Sequence, residues 1–225
     1  MEIKILGISS SPVKNSNTEA FLNESLKAAA KIEGVSTEII PLAGKTINDC
    51  IHCNWCVSKQ KEGKPCSIED DMADIYQRVL EADGLLLSTP VYLARLSGIM
   101  AAFLDRLRCF LHGNHYHGVL QNKVGGALAV AWFRNAGLET TLQTLASAFS
   151  AFGMIFPGLA TVSNCAWGAA GLSSEGGMGK FDPDIKLGVL NDDFGLRSAR
   201  SVGKRVAEVS KIFKAGQESL EGEGK

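Results

Sequence analysis

The chain has 225 residues, 45% of them hydrophobic, and its 23 basic and 24 acidic side chains leave a net charge of -1. That length suits a single well-buried domain, expected over residues 1–215, and no Pro/Gly/Ser-rich linker divides it. The charge balance offers no footprint for nucleic acid or an anionic membrane surface, and no apolar run approaches membrane-spanning length.

The amino terminus enters an apolar strand, Ile3 to Ile8, with no room for a signal peptide, so a cytoplasmic protein is expected. A hydroxyl-rich loop follows, Ser9 to Thr18. Ser16 with Glu19 three residues later makes a capping box, and Phe21, Leu22, Leu26 and Ala29 carry a helical stripe to a stop at Gly34. Val35 to Leu42, rich in β-branched residues, is a second strand.

The loop after it carries Cys50, Cys53 and Cys56 at two-residue intervals, then Cys66 after a nine-residue gap. Three thiolates in one continuous C-x2-C-x2-C run converge naturally on three irons of a 4Fe-4S cubane, with a more distant Cys for the fourth. Tetrahedral zinc prefers two separated C-x2-C knuckles. Structural zinc and free or disulfide-forming thiols stay open as alternatives. Lys59, Lys61 and Lys64 crowd the gap, so that Cys66 could equally ride a mobile surface flap.

Helix periodicity resumes from Ser67 to Ala82, with Met72, Ile75, Val79 and Ala82 on one face. Gly84 to Thr89 is a third strand ending in Pro90-Val91-Tyr92-Leu93-Ala94-Arg95, and Ser97 opens a helix toward Cys109. Val124 to Ala131 is a fourth strand, followed by Trp132-Phe133-Arg134-Asn135 and a helix from Leu138 to about Phe152. A fifth strand fits Ile155 to Thr161. Residues 163–192 are glycine-rich and aperiodic, which reads as an irregular excursion before a last helix from Leu196 to Phe213, and residues 216–225 are expected to fray.

Strands alternating with helices, and apolar almost throughout, imply a parallel sheet covered on both faces. The fold class expected is α/β, a flavodoxin-like doubly wound five-stranded parallel sheet of order 2-1-3-4-5, with the cysteine-rich loop at 44–68 after strand 2. Ligands of such sheets sit outside the carboxyl ends of the strands, where the loops after strands 1, 3 and 4 converge. The first of these lies at a helix N-terminus and offers donors from Ser9, Ser11, Ser16, Asn17 and Thr18, which suits a phosphate monoester; the same residues also serve simple capping and turning. Neither G-x-x-x-x-G-K nor G-x-G-x-x-G occurs there, so a mononucleotide is favoured.

Gly7-Ile8-Ser9-Ser10-Ser11-Pro12, Asn15-Ser16-Asn17-Thr18, the cysteine run, Asp70-Asp71-Met72, Thr89-Pro90-Val91-Tyr92, Ser97-Gly98 and Leu104-Asp105-Arg106 together resemble the iron-sulfur flavoproteins of the NADPH-dependent FMN reductase superfamily. The resemblance covers most of residues 1–160. It implies an FMN-dependent oxidoreductase with FMN phosphate at Ser9, Ser11, Ser16, Asn17 and Thr18. Pro90, Val91, Tyr92 and Leu93 would border the flavin ring, and Trp132, Phe133, Arg134 and Asn135 would lie opposite. It further implies a 4Fe-4S cluster on Cys50, Cys53, Cys56 and Cys66, and subunits that complete each other's flavin sites in a homodimer or homotetramer. Three positions depart from the family. Val13 stands where a basic residue is common, leaving Lys14 as the phosphate cation; Ser10 replaces a frequent Gly; and the last cysteine gap is longer than usual.

The function expected is electron transfer between cluster and FMN, with ferredoxin or NAD(P)H as partner. A flavin-only NAD(P)H-dependent quinone or FMN reductase with a vestigial or zinc-binding cysteine loop is the alternative, and a zinc-binding interaction module the third. His112, His115 and His117 read as a solvated loop near the flavin or a neighbouring subunit. Cys109 and Cys165 read as buried small hydrophobes, and Trp132 and Trp167 as packed or stacking aromatics.

Overall fold

The computed structural model describes residues 1–159 and 166–223. β1 (Ile3–Ser9), β2 (Val35–Pro41), β3 (Gly84–Pro90), β4 (Val124–Ala131) and β5 (Ala169–Leu172) form one parallel sheet in the order β2-β1-β3-β4-β5. In chain order the helices are α1 (Asn17–Ala29), α2 (Trp55–Ser58), α3 (Met72–Glu81), α4 (Gly98–Arg106), α5 (Arg108–Leu111), α6 (Leu138–Ala151) and α7 (Asp193–Glu223).

The three inner strands are apolar on both sides because each side feeds a separate core. Leu6, Ile8, Leu85, Leu87, Ala127 and Ala129 pack with α3, α4 and α6, whereas Ile3, Ile5, Leu86, Leu128 and Val130 pack with α1 and α7. The two-residue side-chain period of a strand produces this division. α1 and α7 pack closely where Gly203 meets α1: a Cβ there would stand 1.9 Å from Ser25 O. Gly203→Ala is therefore expected to destabilise the fold by about 1–3 kcal/mol. An unchanged urea midpoint would place the two helices further apart than described.

The last third of the chain departs from expectation. Ile155 makes one parallel bridge to Val124, and the ladder then stops. Pro157, which lacks an N–H, follows two residues later. The fifth strand is instead Ala169–Leu172, beside the second half of β4; residues 160 and 161 of the expected strand lie outside the described residues. Small residues are required there, since a Cβ on Gly171 would press on Phe21 and Val189.

The excursion expected over 163–192 thus contains a strand, followed by 3-10 turns at Glu175–Gly177 and Gly188–Asn191. α3 starts at Met72, because residues 67–71 belong to the cysteine loop. α7 runs on to Glu223 through the segment expected to fray, where Gln217, Glu218 and Leu220 are good helix formers. No described helix is long and apolar enough to cross a membrane.

Candidate functional site

A cleft of about 920 Å³ opens at the carboxyl edge of the sheet, walled by the loops after β1, β3, β4 and β5. Its polar end is the N-terminus of α1, where the first turn leaves backbone N–H groups without intrahelical partners. Ser16 caps this helix, accepting from Glu19 N at 3.2 Å, and Ser11 Oγ accepts from Val13 N at 3.1 Å. Each hydroxyl accepts within the chain and keeps its own O–H to donate. The carboxylate of Glu19 accepts from Asn15 N at 3.1 Å, one residue before the cap that a regular capping box would use.

Beneath the loop lies a buried hydroxyl network. Ser10 Oγ donates to Ser88 O at 3.2 Å, Ser88 Oγ donates to Thr18 O at 3.1 Å, and Ser97 Oγ lies 3.0 Å from Ser10 Oγ. Ser97 also caps α4, accepting from Met100 N at 3.3 Å. A serine at position 10 thus ties the first loop to β3 and to α4, which a glycine cannot do.

The apolar walls come from Val91, Tyr92, Val130, Trp132, Phe181 and Ile185. Val91 N donates to Val130 O at 2.8 Å, which fixes the loop after β3 against β4. The chain then reverses through Leu93 and Ala94, both left-handed at φ 49° and 59°, an unusual backbone for residues with a Cβ. Gly137 lets this turn settle, since a Cβ there would stand 2.5 Å from Ala94 Cα.

Of the residues expected at a ligand, Ser11, Lys14, Ser16, Asn17, Thr18, Pro90, Val91, Tyr92 and Trp132 line the cleft. Ser9, Leu93, Phe133, Arg134 and Asn135 do not. Ser9 is buried in the last ladder position of β1, and Leu93 is 94% exposed at the tip of its turn. Phe133 bridges Met178 and Arg134 N donates to Gly177 O at 2.8 Å, so both are taken up by the segment after β5. Trp167 is exposed away from the cleft. Cys165 lies outside the described residues.

The sequence did not point to the fourth wall, Ser173 to Lys186. Asn17 secures it: Oδ1 accepts from Val189 N at 2.9 Å and Nδ2 donates to Lys186 O at 3.4 Å. Ser174 Oγ donates to Trp132 O and accepts from Gly179 N at 2.9 Å. The one sequence signal for this wall is an asparagine opening a helix whose cap already stands at Ser16.

The cysteine loop leaves β2 beside this cleft. Left-handed residues at His52 and Asn54, φ 51° and 56°, wrap the chain around the C-x2-C-x2-C run. Cys56 is buried, Cys50 and Cys66 are partly buried and Cys53 is exposed. Burial pushes the Cys56 thiol up, while Ser67 Oγ, 3.5 Å from Cys53 Sγ, holds that thiol below its usual range.

The lysine-rich gap is a tight hairpin, with Lys64 N donating to Lys61 O at 3.0 Å. Buried Gln60 anchors it: Nε2 donates to Pro65 O and Cys109 O, both at 2.9 Å, and Oε1 accepts from His115 N and Tyr116 N at 3.1 and 2.9 Å. Cys109 is buried, and burial pushes its thiol far up. His112 and His117 rim a groove beside the cysteine loop, away from the large cleft. Among the described residues no three His, Cys, Asp or Glu side chains close on a single ion.

Sheet order and the place of the cleft define a flavodoxin-like protein. Residues 3–168 match the family model described as NADPH-dependent FMN reductase. The chain is 42% identical over 212 residues to an iron-sulfur flavoprotein of Methanocaldococcus jannaschii, covering 94% of this chain and 100% of that one. With an iron-sulfur flavoprotein of Archaeoglobus fulgidus it shares 34% identity, over 91% of this chain and 96% of the relative. The chain belongs to the iron-sulfur flavoproteins of the NADPH-dependent FMN reductase family, and is an FMN-dependent oxidoreductase. Among solved structures, RosB with a bound 8-demethyl-8-formylriboflavin-5'-phosphate intermediate superposes with a TM-score of 0.72 at 19% identity, over 95% of this chain and 81% of RosB, which places the two in one fold.

Proposed function

We propose that the protein passes electrons between FMN, held in the large cleft, and a 4Fe-4S cluster held by Cys50, Cys53, Cys56 and Cys66. The observation that carries this reading is that both sites stand on one edge of the sheet. The cysteine loop leaves β2 and the serine loop leaves its neighbour β1, and Leu42 N donates to Ser9 O at 2.8 Å where they part. When bound, FMN stores one or two electrons and the cluster passes one at a time.

The donor set fits both groups. Four thiols share one wrapped loop whose hairpin brings Cys66 back toward Cys56, and the cleft has a polar end at a helix N-terminus and flat apolar walls beyond it. The N–H groups of Asn17 and Thr18, the O–H of Ser11 and Ser16, and the helix dipole would hold the phosphate. Lys14 and Lys186, both on the cleft wall, would supply its counter-charge. Pro90, Val91, Tyr92 and Trp132 would orient the ring and keep water from it.

Asn17→Ala tests the cleft. Loss of its two hydrogen bonds, roughly 1–3 kcal/mol together, is expected to weaken FMN binding about five- to hundredfold as the Lys186 wall loosens. A fluorescence titration of the FMN-free protein that gives the parent affinity, with the fold intact, places FMN elsewhere. Anaerobic purification tests the whole reading: flavin bands with a broad shoulder, plus iron and sulfide equal to one cubane per chain, support it. Flavin bands alone return the protein to the flavin-only alternative.

Ferredoxin or NAD(P)H is the proposed electron source, and a thiol-rich loop of this kind suits the reducing cytoplasm. We propose that the subunit contact of a homodimer or homotetramer uses the exposed apolar side chains Leu93, Met178 and Phe181, which are 94%, 83% and 76% exposed. Light scattering at micromolar concentration decides this, since an active FMN-bound monomer would remove it.

A further inference from the structure

We propose that Arg108 raises the reduction potential of the cluster by donating to the sulfur of Cys56, an inference that rests on the cluster reading above. Arg108 opens α5 and is partly buried beneath the cysteine loop. Its guanidinium fork is divided. Nη2 donates to Asn54 Oδ1 at 2.9 Å, and Nη1 reaches Cys56 Sγ at 3.7 Å, a hydrogen-bond distance for sulfur. Asn54 lies between Cys53 and Cys56 on a left-handed turn, so its amide aims the fork from within the cysteine run itself.

The charge of Arg108 has no carboxylate to meet. Arg106 pairs with Asp70 and Arg200 with Glu24, each at 2.6 Å, but among the described residues no carboxylate lies in ion-pair range of Arg108. Its fixed acceptors are an amide oxygen and a thiol sulfur. A rigid cation with that pairing stabilises whichever state of its neighbour is more negative. For a thiolate-ligated cluster that is the reduced state, and charge and hydrogen bonds at the sulfurs are what set such potentials.

The contact borders an open groove of about 520 Å³ lined by His52, Asn54, Val57, His112 and His117. Water there screens the charge, which limits the effect to a moderate one. Only the one-electron couple of the cluster is concerned: no bond or proton at Arg108 changes as the electron arrives or leaves. Arg108 is therefore a tuning residue, set against a ligand.

The experiment is a redox titration of anaerobically purified protein followed by electron paramagnetic resonance. Arg108→Met is expected to weaken the preference for the reduced state about tenfold, equivalent to about 59 mV downward for a one-electron couple. Arg108→Lys keeps the charge without the fork and should lose less. Lys61→Gln removes an exposed cation from the same loop and should leave the potential where it was.

An unchanged potential in Arg108→Met at full iron and sulfide content overturns the inference, as does an equal fall in Lys61→Gln. If Arg108→Met fails to hold iron, the potential of Arg108→Lys decides, and the parent value in that variant counts against the fork. A parent protein without iron and sulfide defeats the cluster reading first and this inference with it, an outcome distinct from a loaded protein that does not shift.

Discussion

Asp70→Ala is expected to destabilise the protein by about 3–5 kcal/mol, because it leaves a guanidinium buried without its counter-charge. The Arg106 and Asp70 side chains are 0% and 1% exposed, and they pair through both oxygens at 2.6 and 3.2 Å. Arg106 also donates to Asn48 O at 3.0 Å, and Asp70 accepts from Asn48 N at 2.9 Å and Met72 N at 3.1 Å. The pair thus ties the end of α4 to both ends of the cysteine loop. Burial works to raise the Asp70 carboxyl, and the hydrogen bonds from Arg106, Asn48 and Met72 outweigh it, so the carboxyl sits below its usual range.

The sign of the pH dependence follows. Asp70 contributes its full stability above the unfolded carboxylate value of about 3.9, and that contribution fades as pH falls below it through the lower folded value. Chemical denaturation at neutral pH and near pH 3 should show a gap between parent and Asp70→Ala that narrows on acidification. Replacing Asp70 and Arg106 together by apolar residues should recover much of the loss, since it removes both charges at once. A double variant as unstable as Asp70→Ala would assign the effect to packing.

Asp70 also marks where sequence reasoning stops. Asp70 falls inside the helix expected from Ser67, whereas α3 begins only at Met72, and nothing local says that Asp70 turns inward to an arginine 36 residues away. The available signal was Arg106, a charged residue among the apolar positions of α4. The inner strands were legible because burial on both faces leaves continuous apolar runs, and their order followed from the alternation with helices. β5 was not, since Ala-Ala-Gly-Leu carries no β-branched or aromatic residue and is selected by the space under Phe21. The site was legible to the same degree. The serine loop and Pro90-Val91-Tyr92 carry local chemistry, whereas the Ser173 to Lys186 wall is held by hydrogen bonds such as Asn17 to Val189, 172 residues apart.

Cys66→Ala is expected to lose the cluster and keep FMN. The nine residues from Val57 to Pro65 pose no problem of reach, and closing a loop of that length adds little entropy cost, roughly 0.6 kcal/mol per doubling. The hairpin lowers even that cost, because Gln60 holds Pro65, Cys109 and the His115 turn in one buried knot that needs no metal ligand. Cys66 is therefore held toward the loop by a support of its own, and in the proposed cluster its loss would leave one iron without a thiolate. FMN should stay, since no cysteine lines the large cleft. Cys109→Ala is the control: that thiol is buried with its ionisation suppressed, and both cofactors should remain. Gln60→Ala should fall between the two, with intact ligands but slower iron retention against a chelator. Iron, sulfide and FMN measured on the same anaerobic preparations separate the outcomes. Full iron and sulfide in Cys66→Ala would move the fourth ligand to another residue, and loss of iron in Cys109→Ala would name it.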